Sequence, residues 1–216
     1  MLTHVYFMPG MAASPRIFER IKLPEKHFEM HWLSWKLPEV DESLEDYAQR
    51  MAKDVNHENI ILIGVSFGGI LVQEMKKFLN VKKVIIISSV KSHTELPTHM
   101  NLARDTSFYK ILPTGLLNYL DQIERLPVGN TIRKRIELYK NYMVMNNKTY
   151  LDWSIDKILN WKNAVPDEDL IHIQGDEDIV FPIKNITNCI TIKGGTHIMI
   201  LNRYKWFNEH LPELLK

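Results

Sequence analysis

Asn59-Ile60-Ile61-Leu62-Ile63-Gly64-Val65-Ser66-Phe67-Gly68-Gly69 is the stretch on which the fold turns. Its apolar run has no polar alternation. A strand built from it is buried on both faces, as in a parallel sheet with helices on each side. From Ser66 to about Leu79 the pattern becomes helical, with no room for a long connection. A strand that passes straight into a helix through Gly-x-Ser-x-Gly must turn sharply. Side chains two residues to either side of Ser66 would collide with the neighbouring strand and helix, which explains Gly64 and Gly68. Such a pattern arises by chance in a chain of this length about once in fifteen, and far less often in this strand–helix setting.

Working outward, Val84 to Ser88 is a second strand, with the apolar run Val84 to Ile87. Upstream, Val5 to Met8 is a short strand stopped by Pro9-Gly10. Ser14-Pro15 predicts a helix start, with Ile17 and Ile21 on one face. Phe28 to Trp35 predicts another strand. Ser43 and Asp46 form an acidic variant of the capping box and open an amphipathic helix from Leu44 to about Val55. Alternating strands and helices argue for a doubly wound, mostly parallel α/β sheet.

The alternation stops at about Lys91. Ala103 to Ile111, Gly115 to Arg125 and Thr131 to Met145 read as helices, and no strand is evident before Asn163. The sheet resumes with Leu170 to Ile173 and Cys189 to Ile192, and a helix from Met199 to Leu215 ends the chain. The expected architecture is a core of about six strands over residues 1–90 and 164–216, with a helical cap inserted at 91–163. Crossover helices lying on the sheet are the plainer alternative for that insertion.

Composition narrows the function classes. The 216 residues are 45% hydrophobic and 25% charged, enough for one sizeable core without disulfides or a metal staple. Lys and Arg total 27 against 26 Asp and Glu, so nothing draws the chain to nucleic acid or an anionic membrane. The single cysteine, Cys189, reads as a buried strand residue. No Cys/His cluster has zinc-ligand spacing. The first residues lack a basic segment, a long apolar run and a small-residue cleavage site, and no run approaches the ~18 apolar residues of a membrane span. The expected location is cytoplasmic.

A serine hydroxyl is a poor nucleophile at neutral pH and needs a base within hydrogen-bond reach. Two later loops supply partners, each following a strand. Gly175-Asp176-Glu177-Asp178-Ile179-Val180-Phe181-Pro182 follows Leu170–Ile173, and Gly194-Gly195-Thr196-His197 follows the last strand. All would project from the carboxyl ends of parallel strands, where open α/β sheets hold their sites. His197 is the favoured base. His4, His172 and His210 fit structural roles, His57 lies on the wrong edge of the sheet, and His93 and His99 are minor candidates near the insertion. Three carboxylates compete as the orienting acid. For an anionic intermediate, backbone N–H groups are needed. The candidates are Phe67, just after the serine, and Met11, in the loop after the first strand.

These segments resemble the α/β-hydrolase superfamily. Gly64-Val65-Ser66-Phe67-Gly68-Gly69 is similar to its nucleophile elbow, and Met8-Pro9-Gly10-Met11 to its oxyanion loop, with Pro9 where histidine is usual. Gly175 to Pro182 resembles its G-x-x-D-x-[IV]-x-P segment, which aligns the acid with Asp178. Gly194 to His197 resembles its histidine loop. The chain begins directly with the strand leading to the oxyanion loop, and so resembles a small, N-terminally reduced member.

The resemblance implies acyl transfer without cofactor or metal. Ser66 would be the nucleophile, His197 the base, Asp178 its orienting acid, and Met11 and Phe67 the oxyanion donors. The implied partner is a small carboxylic ester. Phe108, Tyr109, Leu112, Leu116, Leu117 and Tyr119 would suit an acyl pocket or helix packing equally. Arg133, Lys134 and Arg135 would suit either a thioesterase that docks an acyl carrier or a solvated helix face. A lyase of the same fold, working by proton transfer, is a further alternative. A non-catalytic binding protein would be expected to have lost part of the Ser–His–Asp set.

Overall fold

The computed structural model describes residues 2–106, 141–164, 167 and 169–216. Six strands form one sheet: β1 (Thr3–Met8), β2 (Phe28–Trp32), β3 (Ile60–Val65), β4 (Val81–Ile87), β5 (Ile171–Gly175) and β6 (Ile190–Ile192). Their order is β2-β1-β3-β4-β5-β6, and every pairing is parallel. β1 has β2 on one side and β3 on the other, so chain order reverses there. A crevice opens at such a switch point, beyond the carboxyl ends of the strands. Met8 pairs with Gly64, so the loops after β1 and β3 leave the sheet side by side.

The apolar runs are explained by two covered faces. Tyr6, Met8, Ile60, Leu62 and Ile86 join a core with Tyr47, Ala48 and Met51 of α1 (Leu44–Ala52) and Ile70, Leu71 and Met75 of α2 (Phe67–Met75). The alternate residues Val5, Phe7, Ile61, Ile63, Ile85 and Ile87 face a second core. That core holds Phe18 and residues of two C-terminal helices, α5 (Met199–Asn202) and α6 (Tyr204–Leu214). At the start of α1, Ser43 Oγ accepts from Asp46 N–H at 3.0 Å and donates to Asp46 Oδ2 at 2.6 Å.

Several elements differ from expectation. The helix at Ser14 is a single 3₁₀ turn, Pro15–Phe18, capped by Ser14 and anchored by buried Ile17 and Phe18. α3 runs Thr98–Thr106, beginning straight after Pro97 instead of at Ala103. Residues 141–145 are not helical. Met143 bridges Ala13, Tyr142 O accepts from Ser14 N–H at 2.7 Å, and Val144 N–H donates to Ala12 O at 2.9 Å. Pairing with the loop after β1 has taken the backbone groups a helix would use. α4 (Lys148–Leu159) was not expected, although Asn147 caps it by accepting from Tyr150 N–H. The last helix breaks at Arg203. Cys189 is partly exposed and precedes β6, a three-residue edge strand too short to bury it.

The expected helix Gly115–Arg125, the six apolar residues from Phe108 to Tyr119, and the Arg133–Arg135 cluster lie outside the described residues. Among the described residues no helix is long and apolar enough to cross a membrane.

Candidate active site

Ser66 stands between β3 and α2 with φ 53° and ψ −123°. A non-glycine residue held there costs on the order of 1–3 kcal/mol, strain that the surrounding packing must hold. The glycines make the turn feasible. A Cβ on Gly64 would land on the Gly68 carbonyl, and one on Gly68 would land on the carbonyl of Pro9. Gly68 is therefore bare because the loop after β1 presses against the start of α2. Ser66 N–H donates to Ile87 O at 2.9 Å, and Ser89 Oγ donates to Ser66 O at 2.8 Å, so β4 fixes the elbow from the other side.

A second pair of glycines joins the loops after β5 and β6. A Cβ on Gly175 would meet the Gly195 carbonyl, and Glu177 N–H donates to Gly195 O at 2.9 Å. This contact brings Asp178 to His197. His197 Nδ1 lies 3.0 Å from Asp178 Oδ2 and 3.2 Å from Oδ1, and its Nε2 lies 2.9 Å from Ser66 Oγ. A carboxylate only accepts, so Nδ1 donates to Asp178, which leaves Nε2 to accept from the serine hydroxyl. Asp176 and Glu177 are exposed. The Asp176 carboxylate instead accepts from Gly194 N–H at 2.6 Å.

Asp178 is buried, and its partners keep it charged. Oδ1 accepts from the N–H groups of Val180 at 2.8 Å and Phe181 at 3.0 Å, and Oδ2 accepts from Gln174 Nε2 at 2.9 Å. Burial pushes its pKa up, but the charge and hydrogen bond of His197, with the two backbone donors, outweigh that and hold it below the usual carboxylate range. Gln174 also donates to Phe181 O at 2.7 Å, which turns its carbonyl toward His172 Nε2 at 3.3 Å. Burial, helped by the charge of Lys91, lowers His172 to about 4, so it is a neutral supporting ring. Gln174 and His172 sit on β5 with nothing in their sequence context to mark this role.

Solved structures of the same architecture align along nearly the whole chain. A thermophilic esterase from Thermogutta terrifontis has 14% identity and a TM-score of 0.70, with 99% of this chain and 89% of that one covered. A hydrolase from Pseudomonas aeruginosa has 12% identity and a TM-score of 0.72, with 99% and 90% covered. A bromoperoxidase from Bacillus anthracis has 18% identity and a TM-score of 0.68, with 100% and 92% covered. This chain has the α/β-hydrolase fold. No family model matches it, and no curated protein matches its sequence.

In this α/β-hydrolase fold the loop after β1 is held by side chains that sequence reasoning did not single out. Trp35 Nε1–H donates to Gly10 O at 2.7 Å, and Ala13 N–H donates to the same oxygen at 3.0 Å. A trans peptide points its C=O and N–H in opposite directions. With Gly10 O turned to Trp35, the Met11 N–H of that unit points away from the indole. Ala12, at φ 62°, donates its N–H to Tyr150 Oη at 3.1 Å. Trp35 also stacks on Phe67 at 4.9 Å and 8°. Phe67 opens α2, so its N–H has no carbonyl behind it within the helix. The sequence reading placed Trp35 only at the end of the second strand, which stops at Trp32, and the folded loop reveals its donor role.

A partly open cleft with about 20 Å³ of enclosed space borders Ser66 and His197. Its walls are Ala13, Ile17, Ile198, Ile200 and Leu201, with Gly10 and Val65 beside the serine. The remaining histidines fall elsewhere. His93 Nδ1 is 2.9 Å from Asn163 O, His210 Nδ1 is 2.9 Å from Trp206 O, and His99 is exposed. No zinc-ligand spacing along the sequence marks a histidine cluster, yet one forms in space. His4, His31 and His57 converge at the opposite edge of the sheet, each with a ring nitrogen within 4.8 Å of the others. They come from separate elements, so no local spacing announces them.

Proposed function

We propose that the chain is a serine hydrolase that cleaves small carboxylic esters through an acyl-enzyme on Ser66. The observation that carries this is the hydrogen-bonded series from buried Asp178 through His197 to the strained Ser66, at 3.0 and 2.9 Å. His197 Nε2 takes the Ser66 proton as Oγ attacks the ester carbonyl, and Asp178 stabilises the imidazolium. The N–H groups of Met11 and Phe67 receive the oxyanion. His197 then protonates the departing alcohol, and a water activated by the same ring releases the acid.

The chemistry calls for no cofactor or metal. The partner is a small ester whose apolar part lies in the cleft walled by Ile17, Ile198 and Leu201. The cap reading of residues 91–163 is favoured, among the described residues, by the Val144 N–H bond to Ala12 O and the Ala12 N–H bond to Tyr150 Oη, which tie the 142–150 segment to the loop after β1. The proposed setting is the cytoplasm.

The test is labelling with a fluorescent fluorophosphonate. Native protein should label and hydrolyse short-chain esters, and folded Ser66→Ala should do neither. Labelling that survives in Ser66→Ala would overturn the assignment. Turnover with no trappable acyl-enzyme would favour proton-transfer chemistry of the lyase kind.

A further inference from the structure

From the convergence of His4, His31 and His57 we infer a binding site for a divalent transition-metal ion of the zinc class, at the sheet edge opposite Ser66. Strand pairing builds it. Register places Glu29 beside His4 and His31 beside Tyr6. Residues two apart on a strand share a face, so His4 and Tyr6 on β1 meet Glu29 and His31 on β2. His57 enters over the same face from the segment before β3. There Asn59 Nδ2 donates to Leu2 O at 2.7 Å and to Thr3 Oγ1 at 3.1 Å, tying that segment to the start of β1.

The spacing suits one small ion. Zinc bound to imidazole nitrogen at about 2.0–2.1 Å in a tetrahedral site separates its ligand atoms by roughly 3.3 Å. His4 Nδ1 and His31 Nε2 are 3.0 Å apart, and Glu29 Oε2 is 3.4 Å from His4 Nδ1. All three imidazoles offer a nitrogen within 4.8 Å of the others. Tyr6 Oη, 2.5 Å from His57 Nδ1, fixes that ring's orientation, and the Asn56 N–H donates to Tyr6 Oη at 3.2 Å. A hydrogen-bonded neighbour of this kind is a usual companion of a metal-binding histidine. His57 stacks on His4 at 3.9 Å and 7°, so it must tilt to admit the ion. It is exposed and leads a loop, which makes that movement cheap.

Three imidazoles make a donor set for zinc, copper or nickel, not for magnesium or calcium. Acyl transfer has no use for them. His4 lies four residues, or roughly 13 Å of strand, before Met8 at the catalytic end. An ion here would clamp edge strand β2 and the 56–59 segment to β1, independently of the proposed hydrolase reaction.

The experiment is calorimetric titration of tag-free, metal-stripped full chain with zinc chloride, repeated on His31→Gln and His57→Gln. Near-stoichiometric binding is expected, with a rise in the thermal midpoint. Each substitution should weaken binding at least about tenfold, as the loss of a supporting ligand does. Cobalt in place of zinc should give the visible absorption of a four-coordinate ion, which a packing role would not produce. His57→Gln, on the exposed loop, keeps the test readable if His31→Gln fails to fold. Absence of stoichiometric binding, or binding that His57→Gln leaves unchanged, overturns the site.

Discussion

The carboxyl end of the sheet and its β1–β2 edge concentrate polar groups by different means. At the carboxyl end, Ser66, Asp178 and His197 stand on loops that follow β3, β5 and β6, and close glycine contacts set their spacing. Over β1 and the edge strand β2, His4 and His31 stand on the strands themselves, and sheet register sets theirs. Chemistry on loops leaves local traces, because a strained serine needs glycines and a turned loop needs special residues. Chemistry on strands leaves none, because a histidine in an edge strand or its neighbour looks like any polar strand residue. The contrast predicts that the carboxyl end behaves as one coupled unit in which each member fails by its own mechanism.

The largest effect that would break this picture concerns Asp178. In Asp178→Asn the new amide must place either its N–H₂ or its oxygen toward Gln174 and His197. The N–H₂ cannot stay at the Oδ2 position, where both Gln174 Nε2 and His197 Nδ1 donate. Turned the other way, it faces the N–H groups of Val180 and Phe181. The relief available is the opposite His197 tautomer, which carries its proton on Nε2 and cannot accept from Ser66. The turnover number for ester hydrolysis should fall on the order of 10³–10⁴-fold with little change in KM. A fall below tenfold would remove Asp178 from the orienting role.

A smaller effect is expected at Trp35. Trp35→Phe keeps a ring against Phe67 but deletes the Nε1 donor to Gly10 O. Ala13 N–H still holds that carbonyl, so the Gly10–Met11 peptide is loosened, not released. Deleting an oxyanion donor outright costs about 10²–10³ in turnover, so loosening one should cost about tenfold, again with KM steady. A raised KM with unchanged turnover would show that Trp35 only shapes a pocket.

These cases mark what the amino-acid sequence reveals. The alternation of apolar runs and helical segments gave the parallel sheet, because two-sided burial writes itself into Ile60–Ile63 and Val84–Ile87. Ser66, His197 and the carboxylate loop were visible because each follows a strand in a glycine-marked turn. The choice of Asp178 rested on resemblance, since Asp176 and Asp178 differ in burial and not in residue type. Trp35 and Tyr150 were hidden because their polar atoms meet partners far away in sequence, and Gln174 because a polar side chain inside a buried strand has no local mark, although its partners Asp178 and Phe181 are only four and seven residues on. α4 was missed although Asn147 and the following apolar spacing mark it. The helical reading of 141–145 failed because pairing with Ala13 overrode local propensity.

The smallest effect gives the sharpest discrimination. Asp176 lies two residues from Asp178 and carries the same charge, so a loop acting only through its negative potential would respond to either substitution. The structure separates them by contact. The exposed Asp176 carboxylate accepts from Gly194 N–H at 2.6 Å, while Asp178 alone reaches His197. Asparagine retains an oxygen able to accept from Gly194, so Asp176→Asn should keep the loop in place and lose only a solvated charge. Exposed substitutions of this kind stay within about 0.5 kcal/mol, so turnover should change by no more than about twofold. Measured beside Asp178→Asn under the same conditions, that ratio isolates the hydrogen bond from the charge. If both variants lost activity equally, the carboxylate cluster would act through its field, and the single-partner account of His197 would fall.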